Sequence, residues 1–220
     1  MNLVSAGIPA VWRILTWIAF AILALLTWRR AAWHMMRSAE NANVFLAATF
    51  VLLGLWLIHA GVQPGLEFHL VGATALTLMF GPWFAMFSLA LVVAGITAHT
   101  GQYAAYAANV LVMGAVPVGV SWAIYRFVDR RLPNNIFVYI FLNSFFGAGF
   151  AAASVGLAST AFAVLCGTYR FGYLLDNYLV YYLLLAWAES FNTGMVITLL
   201  VVYRPQWIST FDDGRYLRPR

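Results

Sequence analysis

The sequence predicts an all-α integral membrane protein, a bundle of about seven transmembrane helices, two of them short. Three observations lead there. Hydrophobic residues make up 64% of the 220 and charged residues only 9%, where a soluble domain carries roughly 45–50% and about 25%. Mean hydropathy is +0.84. The apolar residues fall into runs of bilayer-crossing length, or about half of it, separated by short breaks holding Arg, His, Pro and Gly.

The first span covers residues 9–28, with Pro9 suited to a first helical turn. Arg13 interrupts its start and no small-residue cleavage site follows, so Met1 onward is expected to be mature protein rather than a signal segment. Arg29, Arg30 and Arg37 come next. The second span, residues 43–58, ends at His59. The turn Pro64-Gly65 leads into Glu67, His69 and two short runs, residues 70–80 and 83–98, divided by Gly81-Pro82 and closed by His99. Residues 106–127 form the fifth span, followed by Asp129, Arg130 and Arg131. Pro133-Asn134-Asn135 is a turn. Residues 136–166 and 178–203 are the last two spans. Residues 1–205 are thus expected to be one transmembrane domain, and 206–220 a polar, mobile cytoplasmic tail.

The runs 70–80 and 83–98 are each shorter than the ~17–25 residues of a full span. Arginine placement decides whether they cross once or twice, because cytoplasmic flanks collect Arg. All twelve basic residues are arginine. With two crossings, Arg29, Arg30, Arg37, Arg126, Arg130, Arg131, Arg204, Arg215, Arg218 and Arg220 fall inside, and only Arg13 and Arg170 outside. One crossing puts the clusters on opposite sides. Two crossings therefore win, with the N-terminus outside and the C-terminus in the cytoplasm of an inner (cell) membrane. The formal charge of +5 follows from this topology and does not call for nucleic acid.

That topology brings His59, His69, His99, Glu67 and the amino terminus to the outer face, leaving His34 inside. Neutral imidazole is a common ligand for first-row metals, and a converging His/carboxylate set suits zinc, nickel, copper or cobalt. The competing reading is that polar residues simply collect at the membrane interface. Glu189 is the deepest ionisable residue. A charge there costs roughly 2.5–3.5 kcal/mol on insertion scales, so it is expected to face the bundle interior, with Asn192, Asn143 or Asn109 as partners. It is either a structural, hydrogen-bonded glutamate or part of an ion step. Asp176 and Arg170 are expected to pair in an outer loop. Ala148, Ala152 and Gly156, with Gly149 and Ala153 one residue on, give a small-residue face, for packing within the monomer or for a membrane partner. The single Cys166 rules out an internal disulfide. No Walker, dinucleotide, nucleophile-elbow or H-E-x-x-H motif occurs, so neither ATP hydrolysis nor other enzymatic activity is expected.

Three stretches carry a family resemblance. Residues 69–83, HLVGATALTLMFGPW, resemble the HLLGxxLxxLLLGPW stretch of the CbiM-like family, the membrane substrate-binding components of energy-coupling-factor cobalt and nickel importers. Residues 107–114, AANVLVMG, are similar to its GANVLNMG stretch, and residues 189–194, ESFNTG, to its GExxxTG stretch. Order and spacing agree over about residues 1–205. The resemblance implies a substrate-binding permease for a divalent transition metal (cobalt or nickel, with zinc or copper possible). It also implies a transmembrane coupling subunit and cytoplasmic ATPase subunits as partners, besides membrane lipid. It implies a metal held by the free amine of Met1, a deprotonated backbone amide and the imidazole of His69, nitrogen ligands that favour square-planar Ni(II). Position two is Asn2 where the family has histidine. Val112 and Ala107 replace the family's second asparagine and leading glycine. Three outcomes stay open: a site rebuilt from His59, His69 and His99 with Glu67 or Met113, a non-metal ligand, or a scaffold without ligand. Outside the family, a bis-histidine haem protein using His59 and His99, or a ligand-free partner of another membrane complex, are the alternatives.

Overall fold

The computed structural model describes residues 3–63 and 65–216. Among the described residues six helical stretches are long and apolar enough to cross a membrane: α1, Ala10–Arg30; α2, Ala39–Leu57; α3, Ala73–Thr100; α4, Tyr103–Arg131; α5, Ile136–Leu165; and α6, Phe171–Tyr203. A two-stranded antiparallel hairpin, β1 (Ala60–Gln63) and β2 (Leu66–Phe68), joins α2 to α3. α4, α5 and α6 each contain a π-helical stretch, at Leu111–Ala115, Tyr139–Phe146 and Leu175–Leu179. One turn of such a helix shifts the side-chain register and often lies beside a functional site.

The two short runs are one element, α3, folded back on itself. Gly81 sits at φ 77°, ψ 169°, a conformation open to glycine alone, and Pro82 follows it. Contacts with α2 give the direction of each arm. Going down the first arm, Gly72 packs on Leu52 and Phe80 meets Phe45, ring centroids 5.3 Å apart. Going up the second, Phe84 meets the same Phe45 at 5.7 Å, the Ser88 and Thr49 hydroxyls lie 2.8 Å apart, and Gly95 packs on Leu53. The arms are antiparallel, as the arginine distribution predicts. The first, residues 73–80, is about 12 Å long at 1.5 Å per residue, under half of a ~30 Å hydrocarbon core.

Helix direction sorts the ends of the bundle. One end, the mouth, holds the hairpin, the start of the first α3 arm, the α3–α4 turn and the N-terminal segment. The other holds Arg29, Arg30, Arg37, Gly81, Arg130, Arg131 and Arg204. Arg30 lies over the Trp83 ring at 5.5 Å, which puts the fold-back at the arginine-rich end.

Residues 205–216, the described part of the expected tail, are packed rather than mobile. Ile208, Phe211 and Tyr216 are buried. The backbone N–H of Ser209 donates to the Met79 carbonyl at 2.9 Å, and that of Thr210 to Leu78 at 3.3 Å. The Thr210 hydroxyl also donates to Leu78, at 2.8 Å. A helix leaves its last carbonyls unpaired, and here a strap of residues 205–211 satisfies those of the short arm. Trp207 reaches Glu40 at the start of α2 (2.9 Å), and Arg215 pairs with Asp129 at 2.6 Å.

The small-residue face of α5 serves packing within the monomer. A Cβ on Gly156 would lie 2.7 Å from the Tyr182 ring, and one on Gly149 would overlap the Ser190 hydroxyl, so α5 and α6 approach closely. The outer faces of α1 (Ile14, Ile18, Ile22) and α6 (Leu184, Phe191, Met195) are exposed and apolar. Patches of that extent are a liability in water and are lipid contacts in a bilayer.

Candidate functional site

The hairpin delivers His69 into the mouth. Its register pairs Ala60 with Phe68 and Gly61 with Glu67, which brings the adjoining His59 and His69 to the same end of the hairpin. Leu66 is fully buried, and Phe68 stacks on Tyr178 of α6 at 5.2 Å. With the hairpin pinned by these two side chains, His69 is drawn in to 3% exposure. Its ring lies 4.2 Å from the Trp56 ring, and its Nδ1 lies 3.2 Å from the Leu70 carbonyl. A carbonyl can only accept, so Nδ1 carries the proton and Nε2 is the basic nitrogen. Burial holds the imidazole pKa well below its ordinary value, and His59 nearby lowers it further. At neutral pH His69 is therefore uncharged, the form that ligates metals.

The backbone after His69 is held from two sides. The Trp56 indole N–H donates to the Val71 carbonyl at 3.3 Å. Glu189, from the middle of α6, accepts from the Val71 N–H at 2.8 Å and the Gly72 N–H at 2.7 Å. Thr193 adds a longer contact of 3.5 Å. Gly72 itself is left-handed, φ 67°, and a Cβ there would come within 2.5 Å of Leu52.

The N-terminal segment is sewn to the same mouth. Leu3 donates its N–H to the Asn109 side-chain oxygen at 2.9 Å, and the Asn109 amide returns to the Leu3 carbonyl at 3.5 Å. Ser5 N–H donates to Gln102 at 2.7 Å, and the Thr168 hydroxyl donates to the Gly7 carbonyl at 2.8 Å. Met1 and Asn2, expected to contribute ligands, lie outside the described residues. Leu3, which they adjoin, is fixed and buried.

The other expected residues take different places. Glu189 does face the interior, but its partners are backbone N–H groups and Thr193. Asn109 serves Leu3. Asn192 is exposed and donates to the Ala188 carbonyl at 2.8 Å. Asn143 is buried without a hydrogen-bond partner among the described residues. His59 and His99 are exposed, Glu67 is half-buried, and Met113 is buried. Among the described residues no group of three or more His, Cys, Asp or Glu comes close enough to hold a metal ion, so His59, His69, His99 and Glu67 do not form a preassembled cage there. Among the described residues Arg170 and Asp176 also make no ion pair; Arg215 and Asp129 do. The interior role of Trp56 and the anchoring role of Gln102 were not anticipated. The one sequence signal for either is position: a tryptophan near the end of a span, and a lone amide just after a helix-ending glycine.

A groove of about 550 Å³ runs between α2 and α6 along the short arm. Its walls are mainly apolar, Val51, Leu55, Val196 and Leu200 among them, with Glu189 and Asn192 as polar points.

Residues 3–207 match the family model described as "Cobalt uptake substrate-specific transmembrane region", CbiM. Two solved structures superpose on the fold. One, described as a truncated transition metal transporter, gives a TM-score of 0.79 at 18% identity, covering 92% of this chain and 99% of its own. The other, described as a transition metal transporter, gives 0.77 at 18% identity, covering 92% of this chain and 93% of its own. No curated protein sequence matches.

Proposed function

Since the chain belongs to the CbiM family, and so is a membrane transport protein rather than an enzyme, we propose that it is the substrate-binding component of an energy-coupling-factor importer for a divalent transition metal of the cobalt and nickel class. The metal is cargo. Separate cytoplasmic ATPase subunits and a transmembrane coupling subunit drive its release, and the mouth with the N-terminus faces outside.

One observation carries this reading: a buried His69 on a loop held by Glu189 and Trp56, beside an N-terminal segment fixed at Leu3. Nitrogen ligands bind a transition metal in their deprotonated form, and binding releases their protons. Nε2 of His69 is one such donor, and the amine of Met1 and the following backbone amide, which give up their protons as the metal binds, are the others. Asn2 supplies no imidazole. The fourth position is then open to a solvent molecule or an outer side chain, which relaxes the preference for nickel and admits zinc or copper.

The test is metal content and titration of the protein purified without a histidine tag. Stoichiometric cobalt, nickel, zinc or copper, lost in His69→Ala with the fold retained, is the expected result. Metal binding unchanged in His69→Ala, or no binding by the unaltered protein, would overturn the proposal.

A further inference from the structure

We infer that Glu189 is a positioning residue for the metal-binding loop: its carboxylate sets where the His69 imidazole stands by gripping the peptide N–H groups of Val71 and Gly72 just beyond it. The inference rests on the metal-binding reading of His69 only for its functional consequence; the grip itself is independent of any metal.

The geometry is specific. Both carboxylate oxygens are used, one on Val71 and one on Gly72, at 2.8 and 2.7 Å. A carboxylate is acceptor-only and offers a separate oxygen to each of two converging donors, whereas an amide offers one oxygen beside a donating NH2. These donors are the N–H groups at the start of the short α3 arm, unpaired by the helix itself. They lie two and three residues from His69. Val71 is held in addition through its carbonyl, by Trp56, so the carboxylate and the indole clamp one peptide stretch from opposite sides. The left-handed Gly72 turns the chain out of the loop and into the arm. Glu189 is 2% exposed and reaches this stretch from a helix 117 residues away in the chain. A carboxylate within the membrane is costly unless its oxygens are paired, and here the pairing falls on the stretch that follows His69. What depends on it here is the direction in which His69 is presented.

The test uses the full-length protein in detergent, with Glu189→Gln as the principal variant and Glu189→Asp as the second. Glutamine keeps the shape but sets an NH2 against one of the two N–H donors. Aspartate is one methylene too short to reach both. In metal-free protein, backbone hydrogen exchange in residues 69–73 should quicken in both variants, while exchange in the strap, residues 205–211, stays as before. Ni(II) or Co(II) affinity should fall about 10–100-fold, the usual effect of removing an outer-shell partner of a metal ligand, without loss of the monodisperse folded protein. Unchanged exchange in residues 69–73, or exchange that quickens equally throughout the bundle, overturns the clamp. Should the unaltered protein bind none of Ni(II), Co(II), Zn(II) and Cu(II), the metal reading fails, and the exchange measurement still decides the clamp.

Discussion

The indole of Trp56 covers the imidazole of His69, ring centroids 4.2 Å apart and planes inclined by 42°, while its N–H holds the Val71 carbonyl at 3.3 Å. One side chain thus supplies both the apolar wall that keeps His69 neutral and a hydrogen bond that orders the backbone beyond it.

Trp56→Phe separates the two functions. The ring wall is largely kept and the hydrogen bond is lost, so stability should fall by about 0.5–1.5 kcal/mol, seen as a lower thermal midpoint in detergent. Trp56→Ala removes both and should cost about 3–5 kcal/mol. A Phe variant as damaging as the Ala variant would mean that the indole N–H, not the ring, dominates.

Asn109→Ala takes away the acceptor of the Leu3 N–H and should release the N-terminal segment from the mouth. An unpaired buried donor costs about 1–3 kcal/mol, and here the segment can leave to avoid that cost. The expected signature is faster hydrogen exchange in residues 3–8 with weaker metal binding and a small change in the unfolding midpoint. Unaltered exchange in that segment would show that Gln102 and Thr168 alone hold it.

The strap and the residues just after it offer a contrast between a half-buried hydrogen-bond pair and a more exposed ion pair. Thr210→Val removes the hydroxyl that donates to Leu78 and meets the Tyr139 hydroxyl at 2.7 Å, and should cost about 1–3 kcal/mol. Arg215→Gln breaks an ion pair whose arginine is 40% exposed, and screening by water keeps its contribution at or below about 1 kcal/mol. Thermal unfolding of the two variants side by side checks the order.

Cys166, the single cysteine, stands at the mouth end of α5 beside a cavity of about 300 Å³ under the N-terminal segment. Burial raises its thiol pKa. Raising an acid's pKa leaves less thiolate at neutral pH, so maleimide labelling should be slower than for a free thiol at pH 7. It should quicken about tenfold per pH unit on the way up to that pKa. A membrane-impermeant maleimide should label it on intact cells. Labelling only after permeabilisation would reverse the proposed orientation.

What could be read in advance divides along physical lines. The fold-back was legible because it needs special residues: Gly81-Pro82 marks the break, and the arginines say on which side it lies. His69 was legible for a similar reason, as an ionisable group at the edge of a short apolar run. The partners of Glu189 were not, because backbone N–H groups are offered by nearly every residue and leave no trace in composition. The strap was missed because Ile208, Phe211 and Tyr216 are spaced irregularly among polar residues, and burial without periodicity does not register in a sequence. The expected set of His59, His69 and His99 does not close among the described residues: the hairpin buries His69, while His59 just beyond α2 and His99 at the end of α3 stay exposed to water.

The half-length arm that ends at Gly81 makes this crossing of the bundle a composite. A continuous helix would span the bilayer as a single rigid rod. Here about 12 Å of rod is continued above by a loop hung from Glu189 and Trp56, and below by a strap tied to two carbonyls. The two ends of the arm therefore rest on separate sets of hydrogen bonds, one borrowed from α2 and α6 and the other from the chain beyond α6.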